Sequence, residues 1–237
     1  MKKWTTKNNL QVHQVLNGRS NSFLVSQADR HILIDTGPKN AWNTLNKNIA
    51  KLIPDNGSLQ FLILTHIHFD HVENTARINE KYNAKIITNQ YETEYLKKGL
   101  NAPIKGSLSP TKLITNLLES QFGSLKKFMP AECTIEVNND YSLNDFGFNI
   151  IIIPTPGHTH GSISVIVDNE IAIVGDAMFG VFPWSVFPPF AINPKILVQS
   201  WGRLLNTECS FFLPGHGTGN SRKLVQKEYD KYIQKLQ

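Results

Sequence analysis

Four apolar runs in this sequence end in the same way, and that shared ending limits what the chain can fold into. Residues 61–64 (FLIL) lead into THIHFDH, 150–153 (IIII) into PTPGHTHG, 171–174 (IAIV) into GDAMF, and 211–213 (FFL) into PGHG. Short apolar runs bounded by glycine and proline read as strands. Each of these strands would deliver histidine or aspartate at its C-terminal end. In layered α/β folds such ends gather along one sheet edge, where loops carry the chemistry. Seven side chains, His66, His68, Asp70, His71, His158, Asp176 and His216, are therefore expected to converge.

Further strand-like runs lie at 10–16, 31–37, 84–88, 133–137 and 162–167. Helical spacing lies between them in Trp42, Leu45, Ile49 and Leu52, and again in Ile196, Leu197, Trp201, Leu204 and Leu205. No Pro/Gly/Ser-rich linker divides the 237 residues, and 41% hydrophobic content can fill one sizeable core, so a single layered α/β domain over 1–237 is expected. The segment 107–130 differs from its surroundings. Ser109 can cap a helix that Pro110 opens, with Leu113, Ile114, Leu117, Leu118, Phe122 and Leu125 on one face. This predicts a helical insertion around 92–130, as a core-covering helix or as a lid or dimer contact. Residues 221–237 read as a closing amphipathic helix.

The net charge of +5 is spread over scattered pairs such as Lys2-Lys3 and Lys97-Lys98, without the contiguous basic stripe that nucleic acid needs. Cys133 and Cys209 show no CxxC spacing and fit buried free thiols in a reducing compartment. The N-terminus lacks an apolar export segment, and no run approaches the ~20 apolar residues of a membrane span. A cytoplasmic protein, monomer or homodimer, with a small-molecule substrate is the expectation.

Imidazole and carboxylate suit zinc, no thiolate occurs in the four runs, and seven donors exceed one tetrahedral shell, so two divalent ions are implied. Two such ions about 3.5–4 Å apart lower the pKa of a bound water from about 15.7 toward about 7 and polarise the attacked carbonyl or phosphoryl oxygen. No GxSxG elbow or GxxxxGK[ST] loop offers a competing chemistry.

Together HILIDTG, THIHFDH, TPGHTHGS, AIVGD and PGHG resemble, in order and over nearly the whole chain, the metallo-β-lactamase-fold hydrolases. The resemblance implies a four-layered αββα sandwich. It also implies that His66, His68 and His158 bind a first metal, Asp70, His71 and His216 a second, and that Asp176 bridges them. Asp70 would further serve as the catalytic residue that orients hydroxide and returns its proton. Asp35 resembles the family's aspartate behind the ligands, although by itself it also reads as a strand-terminating turn residue. Zinc is the implied metal, with iron or manganese as alternatives.

Within that family the departures narrow the choice. The zinc β-lactamases are exported and usually lack a carboxylate like Asp176. Only 21 residues follow His216, against the glutathione-binding region of glyoxalase II. Phe179 stands where the homoserine-lactone lactonases carry a tyrosine. The uncharged, aromatic run 177–194 can line a pocket through Phe179, Phe182 and Trp184, or pack as core. A small lactone, ester or thioester is the expected substrate. An iron-dependent persulfide dioxygenase or a nucleic-acid phosphodiesterase of the same fold is the alternative.

Overall fold

Side chains on the facing sides of two sheets share one apolar layer. A computed structural model describes residues 1–55, 57–108, 110–113, 115 and 127–235. The first sheet holds β1 (Lys3–Thr5), β2 (Gln11–Leu16), β3 (Ser22–Gln27), β4 (Arg30–Ile34), β5 (Ser58–Ile63), β6 (Lys85–Asn89) and β7 (Ile135–Val137) in sequential order. It is antiparallel as far as β4 and parallel from β4 to β7. The second sheet comprises β8 (Tyr141–Ser142), β9 (Ile150–Pro154), β10 (Ile163–Val167), β11 (Ile171–Gly175), β12 (Phe211–Pro214) and β13 (Asn220–Ser221), with only the β11–β12 pair parallel among the described strands.

Side chains along a strand point alternately to opposite faces. Thus Ile32, Ile34, Phe61 and Ile63 meet Ile150, Ile152, Val165, Ile173 and Leu213 between the sheets. Leu24, Leu33 and Leu62 face outward against α1 (Trp42–Ala50), α3 (Thr75–Tyr82) and α4 (Gln90–Lys98), through Leu45, Ile49, Ile78 and Leu96. A single-turn helix, α2 (Phe69–Val72), lies between α1 and α3 in the chain. On the far side Ile166, Ala172, Val174 and Phe212 pack on α5 (Pro194–Leu205) and α6 (Arg222–Ile233), through Leu197, Trp201, Leu204 and Val225. Covering both faces of each sheet makes the central strands almost uniformly buried, and the layers run α, β, β, α. Asn193 accepts a hydrogen bond from the Ile196 N–H and Pro194 occupies the first turn, which fixes where α5 starts.

Strand direction positions the site. β9 and β11 both run antiparallel to β10, and β12 runs parallel to β11, so β9, β11 and β12 end at one edge of their sheet. β4 and β5, parallel to each other, end together in the other sheet. The two edges are tied directly. Ile163 N–H donates to Thr65 O (2.9 Å), and Asn21 donates from its backbone to Gly215 O (2.7 Å) and from its side chain to Pro214 O (2.9 Å) and Gly217 O (3.0 Å).

Some local structure departs from the sequence expectation. β3 was absent from the strand-like runs because polar residues bracket its short apolar centre, FLV. The helices α3 and α4 each bury few apolar side chains, so no period marked them. In the expected insertion, 110–113 and 115 are helical, and Leu113 is exposed rather than packed. Ser109, Ile114, Leu117, Leu118, Phe122 and Leu125 lie outside the described residues.

Candidate metal centre

Each strand end contributes what its sequence offered. The loop after β5 places His66 and His68, α2 places Asp70 and His71, the β9–β10 loop His158, the end of β11 Asp176 and the end of β12 His216. The seven form three overlapping groups of donors, His66/His68/His158, His66/His71/Asp176 and Asp70/His71/His216, with donor atoms within 4.8 Å of one another in each. His13, His31 and His160 belong to none of these groups.

The hydrogen bonds behind the imidazoles decide which nitrogen faces inward. His71 Nδ1 donates to Asp35 Oδ2 (2.9 Å), and Asp35 also accepts from the Thr65 N–H and hydroxyl (2.8 Å each). Asp35 sits at φ +58°, in the left-handed region, and these bonds together with its own N–H to Ile63 O (3.0 Å) hold it there. His158 Nδ1 donates to Phe190 O (2.8 Å). The free Nε2 atoms of His71 and His158 therefore point at the centre. A Cβ on Gly215 would collide with Asp176 Oδ1, so glycine at that position lets the His216 loop close over the carboxylate.

Donor spacing tests whether an ion fits. In a tetrahedral zinc shell with bonds of about 2.0–2.1 Å, neighbouring donors lie about 3.3 Å apart. His68 Nδ1 and His158 Nε2 are 3.0 Å apart and His71 Nε2 and His216 Nε2 3.3 Å. Asp176 Oδ2 lies 3.2 Å from His216 Nε2 and 3.5 Å from His158 Nε2, while Asp176 Oδ1 is 3.4 Å from His71 Nε2. His66 Nε2 is buried with no hydrogen-bond partner. A nitrogen left unpaired in a protein interior costs free energy unless something else takes its lone pair. The donor set fits divalent ions.

Electrostatics divide the seven. Burial holds His66 and His68 well below the usual imidazole range, reinforced by neighbouring histidines, and holds His158 below it too. Burial also opposes charge on His71, but Asp176 and Asp35 outweigh it and push its pKa up to about 10. His216 is raised against burial by Asp176. Asp176 itself is held well below the carboxylate range, since His216, His71 and His158 overcome the cost of burying it.

A cleft of about 220 Å³ opens at the centre, lined by the donors His68, Asp70, His158, Asp176 and His216 together with Phe69, Ile104, Phe179, Phe190 and Arg19. Of the three aromatic residues expected there, Phe179 lines the cleft, its ring 4.6 Å from that of His216. Phe182 and Trp184 do not. They stack on each other at 5.4 Å and are 54% and 65% exposed, because the Phe179 N–H to Val186 O bond and the Phe182–Ser185 bridge turn the intervening chain outward. Val186 and Phe187 return to the core against Trp201, so the aromatic run divides between cleft, surface and packing. Arg19, Ile104 and Phe190 were not singled out from the sequence. Nor was Glu92, a buried carboxylate whose charged form burial disfavours and whose bonds to Thr159, Ile67 and Gly161 partly restore it.

Comparison with known proteins agrees with this geometry. The family described as the metallo-beta-lactamase superfamily matches residues 16–216. A Methanocaldococcus jannaschii protein named "Probable metallo-hydrolase" is 30% identical over 203 residues, 84% of this chain and 87% of that one. An archaeal metallo-β-lactamase superfamily protein from Sulfolobus tokodaii superposes with a TM-score of 0.65 at 20% identity, covering 94% of this chain and 86% of the other. The B3 metallo-β-lactamase BLEG-1 superposes with a TM-score of 0.69 at 16% identity, covering 91% and 96%.

Proposed function

This chain belongs to the metallo-β-lactamase superfamily and is a metal-dependent hydrolase; from that premise we propose that its centre takes two divalent ions, zinc foremost, and cleaves a small acyl substrate, a lactone, ester or thioester. The observation that carries the substrate reading is the mixed lining of the cleft, in which Phe69, Ile104, Phe179 and Phe190 share the space with Asp70, Asp176 and His216. Its volume lies below the about 300–1,000 Å³ of pockets for drug-sized ligands, which favours a small molecule over a polymer. Arg19, its guanidinium 4.8 Å over the Phe69 ring, is the one lysine or arginine among the described lining residues, and favours an acyl compound bearing a carboxylate.

His66, His68 and His158 would hold the deep ion, Asp70, His71 and His216 the outer one, with Asp176 between them. The bound ions would supply a water of lowered pKa and polarise the attacked carbonyl. The chain's residues supply the rest. Asp70, at the cleft wall with Oδ2 3.7 Å from His216 Nε2, would accept the attacking water's proton and return it to the leaving group. Its backbone carbonyl accepts from the Ser20 hydroxyl, which fixes the turn that aims it. Asp35 keeps the proton on His71 Nδ1, so that Nε2 stays free to ligate. The whole chain serves as one domain built around this centre. No helix among the described residues is long and apolar enough to cross a membrane. The two free cysteines support a cytoplasmic setting, and the scattered basic charge disfavours nucleic acid.

Assay of zinc-loaded protein against matched neutral and carboxylate-bearing lactones, esters and thioesters, beside phosphodiesters and a persulfide, tests the reading. Acyl turnover with preference for the carboxylate series is expected. Arg19→Gln should raise KM for that series about tenfold or more, a hydrogen bond to a charged group being worth about 1.5–3 kcal/mol. Phosphodiester cleavage alone, or oxygen uptake with a persulfide and iron, would overturn it.

A further inference from the structure

Two loops from different sheets supply the three deep histidines, and one buried carboxylate holds both loops. Glu92 is the third residue of α4, and its side chain is buried at 1% exposure. Oε2 accepts the Ile67 N–H at 2.8 Å and Oε1 accepts the Gly161 N–H at 3.1 Å. Ile67 lies between His66 and His68. Gly161 lies three residues after His158. A Cβ at residue 161 would stand 2.5 Å from Glu92 Cγ and 2.9 Å from Oε1, so only glycine lets the carboxylate approach this closely. Two amide N–H groups cannot bond each other, and a double acceptor placed between them links the loops beyond the Ile163 N–H to Thr65 O bond at their base.

We propose that Glu92 is the positioning residue of the deep ion site. By pinning both loops it sets the 3.0 Å spacing of His68 Nδ1 and His158 Nε2, and thereby the affinity and geometry with which an ion is held there. The inference rests on reading His66, His68 and His158 as ligands of one ion. Glutamine at residue 92 keeps the volume and one acceptor but turns an NH₂ toward one of the two N–H groups, so one link breaks. Partners of this kind, one step behind the ligands, typically change metal affinity by about 10–100-fold when replaced.

Chelated wild-type, Glu92→Gln and Gly161→Ala proteins are titrated with Zn2+ against a competing chelator and with Co2+ followed by its visible ligand-field bands. Their metal-free melting temperatures are measured alongside. Asn89→Ala serves as the control, since Asn89 caps the same helix through the Tyr91 N–H (3.0 Å) with no side-chain hydrogen bond to either loop among the described residues. The expected result is a tenfold or greater loss of the tighter Zn2+ affinity in Glu92→Gln, an altered Co2+ spectrum, and the same pair of changes in Gly161→Ala, whose added methyl displaces the carboxylate. Asn89→Ala should melt earlier with affinity and spectrum unchanged. Affinity within threefold of wild type and an unchanged spectrum in both variants would overturn the proposal, as would an equal affinity loss in the control. Failure of the wild type to bind either metal tightly would sink the ligand reading as well, whereas tight wild-type binding with unaffected variants sinks only the role of Glu92.

Discussion

The deep and outer halves of the centre are built from similar residues but solve different problems. His66, His68 and His158 are buried almost completely and kept neutral by that burial, with their loops tied to Glu92 and the His158 imidazole held by the Phe190 carbonyl. Asp70 and His216 are 15% and 16% exposed at the cleft, and His71 and His216 are pulled toward the protonated form by surrounding carboxylates. Ligating imidazoles must be neutral. In the two-ion reading proposed above, the deep half is ready for an ion, while at the outer half an ion would compete with a proton.

The largest expected effect falls on the outer half. Asp70→Asn keeps size but loses the charge and the proton-accepting oxygen, and should lower kcat by about 10²–10⁴ while the tighter ion and the melting temperature are retained. Metal content measured beside kcat checks this, and loss of both ions would erase the distinction between the halves. Asp35→Asn should act less strongly. It removes the acceptor that keeps the His71 proton on Nδ1 and aims Nε2, so outer-ion affinity falls about 10–100-fold; with one of the carboxylates that raise His71 gone, affinity also varies less steeply with pH, which titrations at three pH values would show. In chelated protein the wild-type His71 proton itself stabilises the fold. That contribution is full below about 6.5, is lost as pH rises through about 10, and should shrink in Asp35→Asn. Trp184→Ala, outside both halves, should change stability by no more than about 0.5 kcal/mol and leave kcat/KM unchanged. A kinetic effect there would mean that the aromatic loop closes over the cleft during turnover.

The sequence made the centre's donor types readable because residue chemistry and strand-end position coincided four times, at 66–71, 158, 176 and 216. The layered fold followed from short apolar runs such as 31–34 alternating with helical spacing such as that of Trp42, Leu45, Ile49 and Leu52. The aromatic loop was harder. Residues 179–187 have no period, and only the hydrogen bond to Val186 and the pairing with Gly217 decide that Phe179 faces in and Trp184 out. Glu92 was invisible for another reason. In QYETEYLKK it looks like one more charge on a polar helix, and its role depends on residues 67 and 161, which only the folded chain brings to it. Arg19, in the turn NGRSN, likewise acquires meaning only from its place at the cleft mouth.

The central claim, two unequal ion sites in one centre, is tested most directly by calorimetric zinc titration of chelated protein near pH 7 and pH 8 in buffers of differing ionisation enthalpy. Two ions per chain are predicted. The first should bind with little proton release, and the second should release at least one proton and tighten about tenfold or more per pH unit, as displacement of protons from His71 and His216 requires. A single ion per chain in excess zinc, or two steps with no difference in proton release, would contradict the account.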